Sequence, residues 1–152
     1  MKKVLLFLVL LLPWFFSSLF PLDYSFYETL QLPFFAPPSF LFGIVWTIVY
    51  LGIAISSYQV ISKYGIKDTP KSYKIKLFIN YLWNQSFPFL FFGLQSTFGG
   101  LVATVGTFIS SLFLYEETSK LNEKSTNFLN LYILWGLFAT VLAFTTYVLN
   151  IA

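Results

Sequence analysis

The chain contains no Cys and no His, and its nine basic residues are all Lys, so Arg is missing as well. Met1 is the single Met among 152 residues. Without Cys there can be no disulfide, thiolate metal site or thiol nucleophile. Without His the commonest general base is gone, and of the usual haem axial ligands only Tyr remains inside the chain. Charge is scarce too: 10% of the residues are charged, where a soluble domain carries about 25%. No phosphate-cradling loop, metal-ligand spacing or nucleophile elbow occurs. Asp23, Glu28, Glu116, Glu117 and Glu123 fall in or near connecting segments, where solvated surface charge is their simplest role. The net charge of +3 is not gathered on one basic face, which excludes nucleic acid as a partner.

What the chain has instead is apolar and aromatic bulk, 57% hydrophobic residues and 22% Phe, Trp or Tyr. A membrane-crossing helix needs roughly 20 mostly apolar residues. Five segments approach that: 4–20, 40–61, 75–94, 98–115 and 128–149, all free of Lys, Asp and Glu except for Lys76 near the start of the third. The predicted fold is therefore all-α, a five-transmembrane-helix bundle forming one integral membrane domain over 1–152. Lys2 and Lys3 followed by VLLFLVLLLPWFF also have the layout of a secretory signal. No A-x-A cleavage site follows, however, and the apolar run continues to Phe20, so this segment is read as the first span.

The lysines set the expected orientation. Lys2 and Lys3 precede the first span; Lys63, Lys67, Lys71, Lys74 and Lys76 lie at the second connection, and Lys120 and Lys124 at the fourth. With the N-terminus cytoplasmic, every Lys falls on that side, as the positive-inside rule requires. The segment 21–39 is then an outer loop. Its Pro33, Pro37 and Pro38 fix φ and remove N–H donors, so it should be an ordered, non-helical strap.

Polar side chains inside a span face the bundle or a cavity. In the third span Asn80, Asn84, Phe87 and Phe91 recur at i, i+4, i+7, i+11, with Trp83 and Gln85 beside them, and Pro88 should kink the helix next to these amides. Spacing leaves two roles open for the amides, interhelical hydrogen bonding or contact with a ligand. Trp46 and Tyr50 share a face of the second span with Gly43, Ile53, Ala54 and Ser57; Tyr132, Trp135 and Ala139 share one on the fifth, beside Phe138. Both Trp sit about two turns inside their helices, deeper than interfacial anchors, which points to an aromatic-walled cavity. In the fourth span Gly99, Ala103, Gly106 and Ser110 form a small-residue stripe that permits close approach of a helix, from the same chain or a second subunit.

These residues carry a resemblance. The strap Pro33-x-Phe35-x-Pro37-Pro38, then Phe42-x-x-x-Trp46-x-x-x-Tyr50-x-Gly52-x-Ala54, resembles the TspO/translocator protein family, the tryptophan-rich sensory proteins and peripheral benzodiazepine receptor. The family reads Lys-Pro-x-Trp-x-Pro-Pro and Phe-x-x-x-Trp-x-x-Leu-Tyr here. Asn80-Tyr81-Leu82-Trp83-Asn84-Gln85-Ser86-Phe87 is similar to its Asn-x-x-Trp-x-x-x-Phe, and Tyr132-x-x-Trp135-x-x-Phe138-Ala139-Thr140 to its Tyr-x-x-Trp-x-x-Phe-Ala-Thr. The chain departs from the pattern at Leu32 (Lys in the family), Phe35 (Trp) and Ala143 (Asn), and no Lys or Arg follows Tyr147.

The resemblance implies a membrane receptor or sensor in a bacterial-type cytoplasmic membrane. It would bind porphyrins such as protoporphyrin IX, or benzodiazepine- and isoquinoline-type ligands, within the bundle. Carried over by position, the ligand-binding residues are Tyr27, Pro37, Trp46, Tyr50, Asn84, Gln85, Phe87, Trp135, Phe138 and Ala139. The resemblance also implies a homodimer and no obligatory cofactor, with porphyrin as ligand and membrane lipid as surroundings. Two alternatives accompany it. One is a weak light- and oxygen-dependent porphyrin-degrading enzyme with Trp46 or Trp135 as redox partner. The other is a facilitator of tetrapyrrole or lipid transport, since no internal repeat or charged relay supports a coupled carrier.

Overall fold

The computed structural model describes residues 2–19, 23 and 25–151. Phe20, the end of the expected first span, and Pro21, Leu22 and Tyr24 of the strap lie outside the described residues. Among the described residues every regular element is helical and no strand occurs.

Helix α1 runs Lys2–Leu11 and tightens into a 3-10 segment over Leu12–Leu19. Pro13 explains the change, because it removes an N–H from the α ladder. A single turn, α2 (Ser25–Glu28), follows. It starts where the Ser25 N–H donates to Asp23 Oδ1 at 2.9 Å. The Ser25 hydroxyl and, after it, this N–H hold the exposed Asp23 carboxyl below its ordinary value. Residues 31–33 and 36–38 are irregular, with a turn closed by Ala36 N–H to the Pro33 carbonyl at 2.9 Å. Residues 31–38 carry no helix, while 25–28 form a helical turn that the proline argument did not foresee.

Helix α3 (Ser39–Tyr64) begins directly after Pro38 and ends at Gly65. Helix α4 (Lys71–Pro88) begins directly after Pro70 and gives way at Pro88 to a π-helical segment, Phe89–Gly93. The Pro88 break was expected as a kink; it takes the form of a widened turn, with Leu94 N–H reaching back to the Phe89 carbonyl at 2.9 Å. Helix α5 (Thr97–Leu121) is capped by the Ser96 side chain and runs well past the expected end at 115. Apolarity stops at Glu116 but helicity does not, since Lys120 pairs with Glu116 one turn earlier at 2.6 Å. A 3-10 segment, Glu123–Leu129, leads into α6 (Asn130–Leu149).

Among the described residues three helical stretches are long and apolar enough to cross a membrane: Ser39–Tyr64, Thr97–Leu121 and Glu123–Leu149, with mean hydropathies of 2.0, 1.6 and 1.8; Lys3–Leu19 is shorter but apolar. Helix α4 does not qualify on composition, because lysines open it and Asn80, Asn84 and Gln85 lie within it. Those amides are nonetheless buried, as are Ser56, Ser57, Thr107, Ser110, Ser111 and Thr118. Large apolar side chains such as Ile44, Ile48, Phe78, Phe113, Leu134 and Phe144 point outward. Polar inside and apolar outside is the arrangement a lipid solvent selects.

Helices α4, α5 and α6 pack in sequence, while α3 rests on α1 and on the 3-10 segment before α6. The core joins Trp14, Val49, Ile53, Val60, Tyr73, Leu114, Leu129 and Tyr132. The small-residue stripe of α5 faces α4 of the same chain, which resolves one open alternative. Gly106 lies under the Trp83 ring, Gly99 against the Leu90 carbonyl, and Ser110 accepts from Asn80 at 2.9 Å. On α3, Gly52 touches the Phe128 carbonyl, so a side chain there would have to move backbone.

Candidate functional site

Two layers of polar contacts pin the helices around the aromatic residues. In the first, Asn80 of α4 donates to Ser110 Oγ at 2.9 Å and to the Thr107 carbonyl at 3.3 Å, and accepts from the Tyr132 hydroxyl at 2.9 Å. One amide thereby ties α4, α5 and α6. In the second, Asn84 Oδ1 accepts from the Tyr50 hydroxyl at 2.9 Å and from Gln85 Nε2 at 3.1 Å. Gln85 Nε2 also donates to the Trp14 carbonyl, and its Oε1 accepts from the Ser17 N–H, both at 2.9 Å. Pro13 disrupts the regular ladder near Trp14 and Ser17, and Gln85 supplies partners to both. Of the two roles left open for the amides, the structure shows the interhelical one.

Against this frame stand three groups of rings. Tyr50 is central: Trp14 stacks on it with centroids 5.6 Å apart, Phe15 meets it edge-on at 5.3 Å, and Trp46 lies 5.7 Å away. Trp46 also meets Tyr132 at 6.3 Å. A second group lies on the π segment, where Phe87 stacks on Phe91 at 5.1 Å and Phe26 of α2 closes on Phe91 at 5.3 Å. The third is built by the strap region. Tyr27 contacts Phe42 at 6.2 Å, Phe42 contacts Trp135 at 5.9 Å, Trp135 contacts Phe138 at 5.2 Å, and Phe35 contacts Phe138 at 6.3 Å. These distances and tilts are those of favourable ring pairs.

Most of the expected site residues therefore converge. Trp46, Tyr50, Asn84 and Gln85 share the centre, Tyr27, Trp135 and Phe138 the strap side, and Phe87 of α4 stacks on the π segment. Pro37 and Ala139 are half-buried in the strap and α6. Sequence reasoning missed Trp14, Phe26 and Phe42 as site residues. Phe42 was legible, one turn before Trp46 on the same face; Trp14 and Phe26 are placed by partners far along the chain and left no local signal.

Two polar atoms of this site stand out. The Tyr27 hydroxyl and Trp135 Nε1 are buried and have no hydrogen-bond partner among the described residues. Ser56 Oγ is likewise unpartnered. Buried donors are rarely left so, and each calls for an explanation. Tyr27 and Trp135 flank one ring, Phe42.

The strap is tied down at its start. Asn150, just beyond α6, accepts from the Gln31 N–H at 3.0 Å and donates to the Gln31 carbonyl at 2.9 Å. Further on, Phe35 meets Phe138 at 6.3 Å, so the strap touches α6 at two points, Phe138 within the helix and Asn150 just beyond its end.

Comparison with known proteins follows this geometry. Residues 4–149 match the TspO/MBR family. The chain is 34% identical over 134 residues to the tryptophan-rich protein TspO of Bacillus cereus, covering 88% of this chain and 86% of that one. It is 32% identical over 132 residues to the tryptophan-rich protein TspO of Archaeoglobus fulgidus, covering 83% and 80%. It is also 30% identical over 133 residues to the Bacillus subtilis membrane protein YtaB, covering 88% and 85%. With its long apolar helices and inverted polarity, the chain is an integral membrane protein, and it belongs to the TspO/MBR family.

Proposed function

We propose that the protein is a membrane receptor or sensor for a flat aromatic ligand of the porphyrin class, received between the strap and the rings of α3 and α6. Membership of the TspO/MBR family supports the receptor or sensor role. The observation that carries the ligand reading is the pair of buried, unpartnered donors on Tyr27 and Trp135, set among stacked rings. Rings offer a planar ligand broad stacking area, and unpaired donors offer its rim a hydrogen bond. Smaller flat ligands of the benzodiazepine or isoquinoline type meet the same requirements. In this reading α1 with its 3-10 extension and α4 with its π segment complete five crossings, the N-terminus is cytoplasmic, and the protein works as a homodimer in a bacterial cytoplasmic membrane.

The test is a spectral titration with protoporphyrin IX in lipid nanodiscs, comparing the wild type with a Trp46→Phe, Trp135→Phe double variant. Saturable binding by the wild type, weakened at least tenfold in the double variant, is the expected result. Equal affinity of the two proteins would overturn the site.

A further inference from the structure

We infer that the site selects a ligand with an uncharged rim bearing carbonyl acceptors, and discriminates against the same ring carrying free carboxylates. The inference rests on the ring-binding reading above and adds the charge state of the ligand to it.

Three observations carry it. First, the orphaned groups are donors. The Trp135 N–H can only donate, and the Tyr27 hydroxyl also has a proton to give, so the complementary ligand offers acceptors where these two groups flank Phe42. Second, no cation accompanies them. The strap, α2, the first half of α3 and all of α6 are free of Lys, and Arg and His do not occur anywhere in the chain. Lys63 lies 17 residues beyond Trp46 on α3, about 25 Å of helix, and its ammonium is already donating to the Leu121 carbonyl. Lys76, the basic residue nearest in sequence to the central amides, is paired with Glu117 at 2.6 Å. Third, the charges beside Tyr27 have the wrong sign for an anion. Glu28 follows it directly and Asp23 lies four residues before it, both exposed.

A carboxylate is a good acceptor, but in an apolar protein interior it also needs a counter-charge, or the cost of stripping its water is not recovered. An ester, amide or ketone oxygen accepts from the same two donors without that cost. Donor pair and missing cation together thus favour a neutral carbonyl-rimmed ring.

The test uses three porphyrins of equal ring size in zwitterionic nanodiscs, with empty discs correcting for partition: protoporphyrin IX, its dimethyl ester, and etioporphyrin, which carries only alkyl groups. The wild type is expected to bind the dimethyl ester at least tenfold more tightly than the free acid. Tyr27→Phe, which removes only the hydroxyl, should weaken the ester three- to tenfold and leave etioporphyrin unchanged, the range one net hydrogen bond spans. Free acid bound as tightly as the ester, with binding still lost in the Trp46→Phe, Trp135→Phe variant, would overturn the charge selection and leave the ring site standing. Equal loss of ester and etioporphyrin on Tyr27→Phe would overturn the donor role. Binding of none of the three that depends on Trp46 and Trp135 would overturn both the inference and the ring site.

Discussion

At the scale of single residues, Asn80 and Gln85 show why polar groups persist in an apolar chain. Asn80 makes three hydrogen bonds to two other helices. At about 0.6 kcal/mol per interhelical bond in a membrane, Asn80→Ala should cost about 2 kcal/mol, read as an earlier midpoint in detergent-induced unfolding. An unshifted midpoint would mean that the Asn80 bonds contribute nothing net. Gln85→Leu should act differently, by freeing the Trp14 carbonyl and Ser17 N–H near the Pro13 break. Faster amide exchange over 14–17, with little change in α5, is the expected signature. The sequence showed that these amides face inward but not what they touch, because their partners lie up to 71 residues away and spacing within one helix is blind to that.

Among elements, strap and helix ends are the informative ones. The helix start after Pro38 and the break at Pro88 could be read from the chain, whereas α4 begins after Pro70 at Lys71, ahead of the expected 75. Boundaries set by apolarity alone were less legible: α5 continues six residues beyond 115 because charged residues hold a helix as well as apolar ones do. Close approach of α3 to the segment before α6 depends on Gly52, where an added methyl meets the Phe128 carbonyl. Gly52→Ala should lower thermal stability and disturb Trp46 fluorescence, since that segment leads directly into α6, whose Tyr132 meets Trp46 of α3. At the start of α2, the Asp23 carboxyl should titrate below its ordinary 3.8. Its support for that turn is complete above the ordinary value and is lost as pH falls through the lowered one, an effect that side-chain NMR during acid titration would display.

For the molecule as a whole, inverted polarity and family membership establish a membrane protein, while the number of crossings is a matter for labelling. The absence of Cys makes this direct. Single cysteines at Ala36 and at Ser72 should react with an impermeant maleimide from opposite faces of the membrane. Labelling of both from one face would overturn the five-span arrangement. The site was legible in outline because Trp and Tyr recur on single helix faces. Its division into three ring groups was not, since it depends on rings from separate elements, such as Trp14 on Tyr50 and Phe26 on Phe91.

The clasp between Asn150 and Gln31 has a kinetic meaning. One side-chain amide holds both the N–H and the carbonyl side of one strap residue, so withdrawal of that amide releases both at once. Release of the strap would then be linked to fraying of the last turn of α6, where Asn150 also holds the Thr146 carbonyl at 2.7 Å. Arrival and departure of a ligand would be timed by that step. Asn150→Ala should accelerate association and dissociation by similar factors in stopped-flow traces while the equilibrium constant hardly moves, so the tail of the last helix would keep time for a site it does not touch.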